Sequence, residues 1–272
     1  MQLHRWPRQA YDRKQIAMND RKSRPLIQLV GVHKHFGGIT ALENVNFEVG
    51  NNEVVGLVGD NGAGKSTMIK IIMGVYKADK GEIYFKGDKA THWTVERVRS
   101  LGVETVYQEK ALGEKQTIWS NIFVGRELSN PLGFLKIKRS KEETDRIMRK
   151  YIGFTSKAIV PDSYIKTMSG GEQQGVAIAR ALYFDADLII LDEPTTALSL
   201  TETKKVLDFI SGIKKSGKSA IMISHTIYHL YPVSDRFVIL DRGKIVGEFI
   251  KDEISFDELV EELQKVASTG HV

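Results

Sequence analysis

Gly59-Asp60-Asn61-Gly62-Ala63-Gly64-Lys65-Ser66 is the stretch that decides the fold. It fits the pattern G-x-x-x-x-G-K-[ST], a loop whose small residues let backbone N–H groups curl around a phosphate. Lys65 adds a point charge, and Ser66 can offer its hydroxyl to Mg²⁺. A helix opening at the end of the loop, through Thr67, presents its positive end to the same anion. Asp60, Asn61, Gly62, Ala63 and Thr67 are therefore binding candidates together with Gly59, Gly64, Lys65 and Ser66.

The pattern alone is weak, because Gly212-Ile213-Lys214-Lys215-Ser216-Gly217-Lys218-Ser219 fits it too. Context separates the two copies, since a phosphate loop needs a strand before it and a helix after it. The first copy follows the apolar run Val54-Val55-Gly56-Leu57-Val58. After it, Met68, Ile69, Ile71, Ile72 and Val75 recur at helical spacing. The second copy has the reverse order. Val206, Leu207, Phe209, Ile210 and Ile213 precede it at helical spacing, and Ala220-Ile221-Met222-Ile223 follows. That reads as a helix end with a Gly cap and then a strand, not as a phosphate site.

The chain has 272 residues, ordinary hydrophobic (42%) and charged (27%) fractions, and no cysteine. Disulfides, thiolate zinc sites and thiol catalysis are excluded, and the composition fits a cytoplasmic address. No apolar run approaches the ~20 residues that span a bilayer. The net charge of +5 is local: residues 1–25 hold seven basic and two acidic residues, and the rest holds 32 of each. We therefore expect 1–25 to be a solvated basic extension, and no nucleic-acid face on the neutral body.

Strands are expected at Leu26–Val30 and Val45–Val49, separated by a Gly37-Gly38 turn, and at Gly81–Gly87 and Val103–Tyr107. The segment from about 112 to 165 is charged and helical, with a break at Pro131-Leu132-Gly133. Within it Ser140-Lys141-Glu142-Glu143 has capping-box form and predicts a helix from there to about Tyr151. Leu188-Ile189-Ile190-Leu191 reads as a buried parallel strand, with further strands at Ala220–Ile223 and Phe237–Leu240. Asp241–Lys244 is a hairpin turn into Ile245-Val246, and Ser255-Phe256-Asp257-Glu258 caps a last helix. Alternating strands and helices imply an α/β fold with a mostly parallel core sheet.

Two further stretches carry chemistry. Asp192 ends Leu188–Leu191 and is the natural Mg²⁺ partner, at the sheet edge where ligands bind in such folds. Glu193 follows as the candidate general base for an attacking water. An acidic pair after a strand is otherwise a plain turn; the phosphate loop shifts the reading toward a site. Ser169-Gly170-Gly171-Glu172 makes a capping box before an apolar helix, and the same N–H groups can meet an anion.

Taken together, residues 26–250 resemble the ATPase subunit of an ABC (ATP-binding cassette) transporter, with the motifs in family order. Gly59–Ser66 is similar to Walker A, and Leu188–Glu193 to Walker B with the catalytic glutamate. Gln108 resembles the Q-loop glutamine. Ser169-Gly170-Gly171-Glu172-Gln173 resembles the LSGGQ signature, with Met168 for Leu and Glu172 for Gln. Ile223-Ser224-His225 resembles the H-loop, Thr196–Ser199 sits at the D-loop, and Phe36 resembles the aromatic that stacks on adenine. The resemblance implies a P-loop NTPase fold over 26–272, with an N-terminal antiparallel β subdomain and an inserted helical subdomain at about 112–183. It implies ATP and Mg²⁺ as ligands: Gln108 would sense Mg²⁺ and the γ-phosphate, and His225 would contact the γ-phosphate. The signature of one subunit would close on the ATP of a second copy or a homologous cassette. Implied partners are integral membrane permease subunits, docked on the helical subdomain, and indirectly an extracytoplasmic solute-binding protein. The implied location is peripheral, on the cytoplasmic face of the cell membrane. Two positions depart from the pattern: Ser199 replaces the usual D-loop aspartate, and Gly175 stands where many relatives have a basic residue.

Gln108-Glu109, Asn121–Glu127 and Thr195–Ala197 with Thr201-Glu202-Thr203 resemble ATPases of monosaccharide importers. Phe36-Gly37-Gly38 also resembles branched-chain amino-acid importers. The alternatives are an importer of another small solute and a soluble ABC ATPase acting outside transport, on nucleic acid or ribosomes or as a poorly hydrolysing regulatory module.

Overall fold

Val54–Val58 (β3) is buried at every position. The computed structural model describes residues 24–107, 112–149 and 159–269, and β3 lies inside its larger sheet. It pairs in parallel with Ser219–Ile223 (β8) on one side and Arg236–Asp241 (β9) on the other. β8 pairs with Leu188–Asp192 (β7), and β7 with Val103–Val106 (β6), again in parallel. Lys244–Ile250 (β10) lies antiparallel on β9 through the Asp241–Lys244 turn. The order is β10-β9-β3-β8-β7-β6.

The near-continuous apolar runs of the central strands have a simple cause: both faces of this sheet are covered. Side chains divide with period two. Leu57, Ile190, Ile221 and Val238 pack with Met68, Ile71 and Ile72 of Lys65–Ile72 (α1). Val54, Ile189, Leu191, Met222 and Phe237 pack with three other helices, Gly170–Tyr183 (α5), Leu200–Lys215 (α6) and Phe256–Thr269 (α8). Ser255 and Glu258 cap α8 reciprocally, as their spacing predicts.

The first face is completed by an antiparallel sheet of order β2-β1-β4-β5. Its strands are Ile27–Phe36 (β1), Ile39–Val49 (β2), Lys80–Phe85 (β4) and Asp88–Lys89 (β5). β1 and β2 run well past the expected Leu26–Val30 and Val45–Val49, up to the pair Phe36↔Ile39. Register shifts between Leu29 and His35 break the apolar alternation while the ladder continues, so the pattern stops before the strand does.

Arg236 ties the two sheets together. Its guanidinium donates to Glu53 Oε1 at 2.8 Å, to the Glu48 carbonyl at 2.7 Å and to Glu248 Oε2 at 2.9 Å. Burial holds the Glu248 carboxyl above its ordinary pKa, against the pull of Arg236. Arg236→Ala would strand both carboxylates. Full burial would put the cost at about 3–5 kcal/mol, and the partial exposure of Glu248 lowers the expectation to about 2 kcal/mol. In urea the unfolding midpoint should fall with an unchanged slope.

The helical segment has its own core. Ile118 and Ile122 of Ile118–Phe123 (α3) and Ile147 of Ile137–Ile147 (α4) pack with Ile165, Val176 and Ala179. The expected start of a helix at Ser140 is wrong. α4 begins one turn earlier, after Lys136, and Ser140 is buried inside it, its carbonyl accepting from Thr144 Oγ1 at 2.8 Å. The S-x-x-E spacing is as compatible with a helix interior as with a cap, and Ile137-Lys138-Arg139 extend the helix readily. Tyr151, the expected helix end, and residues 1–23 of the expected extension 1–25 lie outside the described residues. Pro131-Leu132-Gly133 is a tight hairpin, as the break predicts, closed by the Ser129↔Leu135 bridge and by Asn130 Oδ1. A second departure concerns α1, which ends at Ile72 and leaves Val75 exposed beyond it.

The second copy of the phosphate pattern is a helix stop. α6 ends at Lys215, Gly217 follows at φ +77°, and β8 begins at Ser219. Lys214 bonds Asp235, and Lys218 bonds Asp185 at 2.6 Å, so these lysines serve surface ion pairs. Among the described residues no helix is long and apolar enough to cross a membrane.

Candidate active site

Parallel pairing brings three loops to one edge of the large sheet. Leu57 of β3 and Asp192 of β7 both stand opposite Ile223 of β8. Gly59 is two residues past this row, Glu193 one and His225 two. The β8 loop therefore sits between the Gly59–Ser66 loop and the Asp192-Glu193 pair, at the carboxyl edge where α/β sheets bind ligands.

Gly59 fits only as glycine. Its φ is +155°, and a Cβ built on it would lie 2.1 Å from the Leu240 carbonyl oxygen. From there the chain turns out. Asp60, Asn61 and Gly62 are exposed, Ala63 is buried, and Ala63 N–H donates to the Asp60 carbonyl at 3.1 Å. The loop is braced from behind by Gly243, whose N–H donates to the Ala63 carbonyl at 2.8 Å. α1 then starts with Gly64 as its N-cap. Among the described residues it has no side-chain cap and no acid in its first turn. By position the first N–H groups of a helix lack intrahelical partners, so those of α1 can meet an anion.

Lys65 Nζ spans the loop, donating to the Gly59 carbonyl and, at 2.8 Å, to the Asp60 carbonyl. Burial lowers its pKa, while Glu193, Asp60 and Asp192 pull it back up. Conversely, burial and the neighbouring Glu193 raise the Asp192 carboxyl, against Lys65 and Lys70. These opposed shifts mark a half-buried cluster of one ammonium and two carboxylates under the loop.

Glu193 is oriented by its neighbours. Its N–H donates to the Ile223 carbonyl at 3.0 Å, and its φ of +50° is costly for a residue with a Cβ. The carboxylate accepts from His225 N–H at 3.2 Å and from Thr196 Oγ1 at 3.2 Å, and it meets His225 Nδ1 at 3.1 Å. Glu193 is mostly buried, whereas the His225 side chain stays 66% exposed. The pair thus has an anchored carboxylate and an imidazole whose other nitrogen is open to a ligand.

Phe36 stands at the β1–β2 hairpin tip, 41% exposed, edge-on to Tyr76 at 5.2 Å between ring centroids. The hairpin continues into Ala41, whose carbonyl oxygen would lie 2.6 Å from a Cβ on Gly64. The hairpin that carries the aromatic therefore reaches the end of the loop at Gly64. A flat ring held on one edge is what a stacked base requires.

The oxygen donors present fit a hard cation. Asp192 and Ser66 offer a carboxylate and a hydroxyl, and among the described residues no group of three or more His, Cys, Asp or Glu could hold a metal unaided. Mg²⁺ is commonly held this way, by one or two protein oxygens together with phosphates and water.

The remaining candidates are elsewhere. Ser169 caps α5: its Oγ accepts from Glu172 N–H at 3.3 Å, and its own N–H donates to Glu172 Oε2 at 2.8 Å. Gly171 N–H donates to Glu202 Oε1 at 3.0 Å. Among the described residues Ser169, Gly171 and Glu172 hydrogen-bond to one another and to Glu202, not to residues 59–66. Gln108 lies outside the described residues. The contacts of Glu202 with Gly171, of Tyr76 with Phe36 and of Thr195 with His229 (2.9 Å) each join segments more than thirty residues apart. Only Glu202 left a signal, the Ser199-x-x-Glu202 spacing of a capping box.

Residues 42–196 match the family model described as ABC transporter. The chain is 43% identical over 244 residues to the xylose/arabinose import ATP-binding protein XylG of Sulfolobus acidocaldarius, covering 89% of this chain and 95% of that protein. It is 35% identical to the ribose import ATP-binding protein RbsA of Caldanaerobacter subterraneus subsp. tengcongensis. That match covers 87% of this chain, which spans about half (47%) of the relative's length. Among solved structures, a dimeric bacterial ABC transporter cassette superposes with a TM-score of 0.69 at 26% identity, covering 83% of this chain and 98% of that one.

Proposed function

This chain belongs to the ABC transporter family, and we propose that it is the ATP-hydrolysing subunit of an importer for a monosaccharide. The observation that carries the chemistry is the convergence of the β3, β7 and β8 loops, with Glu193 anchored by His225 beside Lys65. The sugar assignment is supported by its relatives, which are xylose/arabinose and ribose import ATP-binding proteins.

Residues 59–67 would cradle the phosphates, with Phe36 against the base. When bound, Mg²⁺ at Ser66, Asp192 and Gln108 would neutralise charge developing on the phosphates. Glu193 would take the proton of the attacking water, and His225, holding that carboxylate through Nδ1, would turn its open edge to the γ-phosphate. Ser169-Gly170-Gly171 and Glu172 of a second copy, or of a homologous cassette, would complete each site. Closure and reopening of the pair would then drive membrane permease subunits from their cytoplasmic face, with an extracytoplasmic binding protein supplying the solute. No nucleic acid enters this scheme.

The complex with its permease, reconstituted in vesicles, should hydrolyse ATP several-fold faster with a monosaccharide-loaded binding protein than with the empty one. Stimulation by a branched-chain amino-acid-loaded protein alone would overturn the sugar assignment. Failure of any integral membrane protein to co-purify would overturn transport itself.

A further inference from the structure

One carboxylate joins two helix starts that the proposed cycle uses for different purposes. Glu202 belongs to the first turn of α6, yet its Oε1 accepts from Gly171 N–H in the first turn of α5 at 3.0 Å. Its Oε2 accepts from Ser199 N–H at 3.1 Å and from Ser199 Oγ at 2.9 Å. The approach is close: a Cβ on Gly171 would lie 2.8 Å from Glu202 Cβ and 2.9 Å from its Cγ, so only glycine admits it. Hydrogen bonds from Gly171, Ser199 and Ser169 hold the carboxyl at a pKa of about 2. Ser199 connects back along Leu198 and Ala197 to Thr196, whose hydroxyl donates to Glu193. A continuous line of contacts thus runs from the candidate base through Ser199 and Glu202 to the Ser169–Gly171 turn.

We propose that Glu202 is a positioning residue that locks the Ser169–Gly171 turn to the loop following Glu193. This rests on the composite-site reading above. In that reading one subunit's turn acts on its partner's ATP, while its Glu193 loop acts on its own. Glu202 then makes the two surfaces of one subunit a single rigid unit, so that the state of one site is felt at the other. Ser199 is the matched partner. Its hydroxyl donates to Glu202, whereas an aspartate there would set a second carboxylate against the first.

The test compares capping boxes. Glu258 caps α8 through Ser255 with the same reciprocal bonds, far from the sheet edge that holds the site. Glu202 accepts through both oxygens, so Glu202→Gln turns an amide NH₂ toward Gly171 or Ser199. Glu258 accepts from Ser255 through Oε2 alone, so Glu258→Gln can keep its box. The melting temperature of each variant is therefore read first, to separate a loss of fold from a loss of pairing. In a Glu193→Gln background, ATP-driven pairing would be followed by sedimentation, and nucleotide binding to the single chain by fluorescence. We expect Glu202→Gln, and Ser199→Asp likewise, to weaken pairing at least tenfold with single-chain ATP affinity within twofold. Glu258→Gln should leave both within twofold. Equal effects of Glu202→Gln and Glu258→Gln on pairing, or none from Glu202→Gln, would overturn the proposal. Absence of pairing in the Glu193→Gln parent would instead overturn the composite-site reading, and this proposal with it.

Discussion

Glu193→Gln should abolish steady-state ATP hydrolysis, lowering the rate by ~10²–10⁴-fold, while ATP binding survives. The substitution preserves shape. The amide oxygen can still accept from His225 N–H in place of Oε1. The amide NH₂ that replaces Oε2 can donate to Thr196 Oγ1, a hydroxyl that also accepts, so the position of the Glu193 side chain is kept. What disappears is the capacity to take a proton from water. Lys65 and the N-terminus of α1 are untouched, so the phosphates should remain bound. Single-turnover hydrolysis separates the two steps, and a variant that cleaves ATP at the parent rate would show that another group is the base.

The second large effect is structural. Gly59→Ala should destabilise the fold by about 3 kcal/mol and sharply weaken ATP binding. The new methyl would lie 2.1 Å from the Leu240 carbonyl, a backbone atom of β9 that cannot move without disturbing the sheet. The loop would have to shift instead, taking the Lys65 contact with the Gly59 carbonyl along. Gly62→Ala is the internal comparison. Its φ is also positive, but its Cβ would meet nothing within 4 Å, so it should cost only about 1 kcal/mol. Thermal unfolding of the two variants checks the contrast, and equal melting temperatures would contradict it.

Much of this site was legible in the chain because its parts are local. Strand, loop and helix over 54–72 follow one another in sequence, and the apolar run 188–191 needs only burial on both faces to be read as a parallel strand. The two phosphate-pattern copies could be told apart for the same reason, since order of elements is a sequence property. What was not legible depends on distant partners. The contact between Glu202 and Gly171 joins residues 31 apart, and nothing in either segment announces it. Ser140 shows the converse: its S-x-x-E spacing suits a helix interior as well as a cap, and the helix-forming Ile137-Lys138-Arg139 place the start one turn earlier. The β1–β2 hairpin was underestimated where bulges scramble alternation but leave hydrogen bonding intact.

We propose that Gly59–Ser66 is half of a site, completed by Ser169–Gly171 of a second chain. The most direct measurement is the number of ATP molecules retained by the Glu193→Gln variant after removal of free nucleotide, together with the mass of the species that retains them. Two ATP held per pair of chains, with single chains alone in a sample never given ATP, is the predicted result. A single chain that retains ATP equally well without pairing would contradict it.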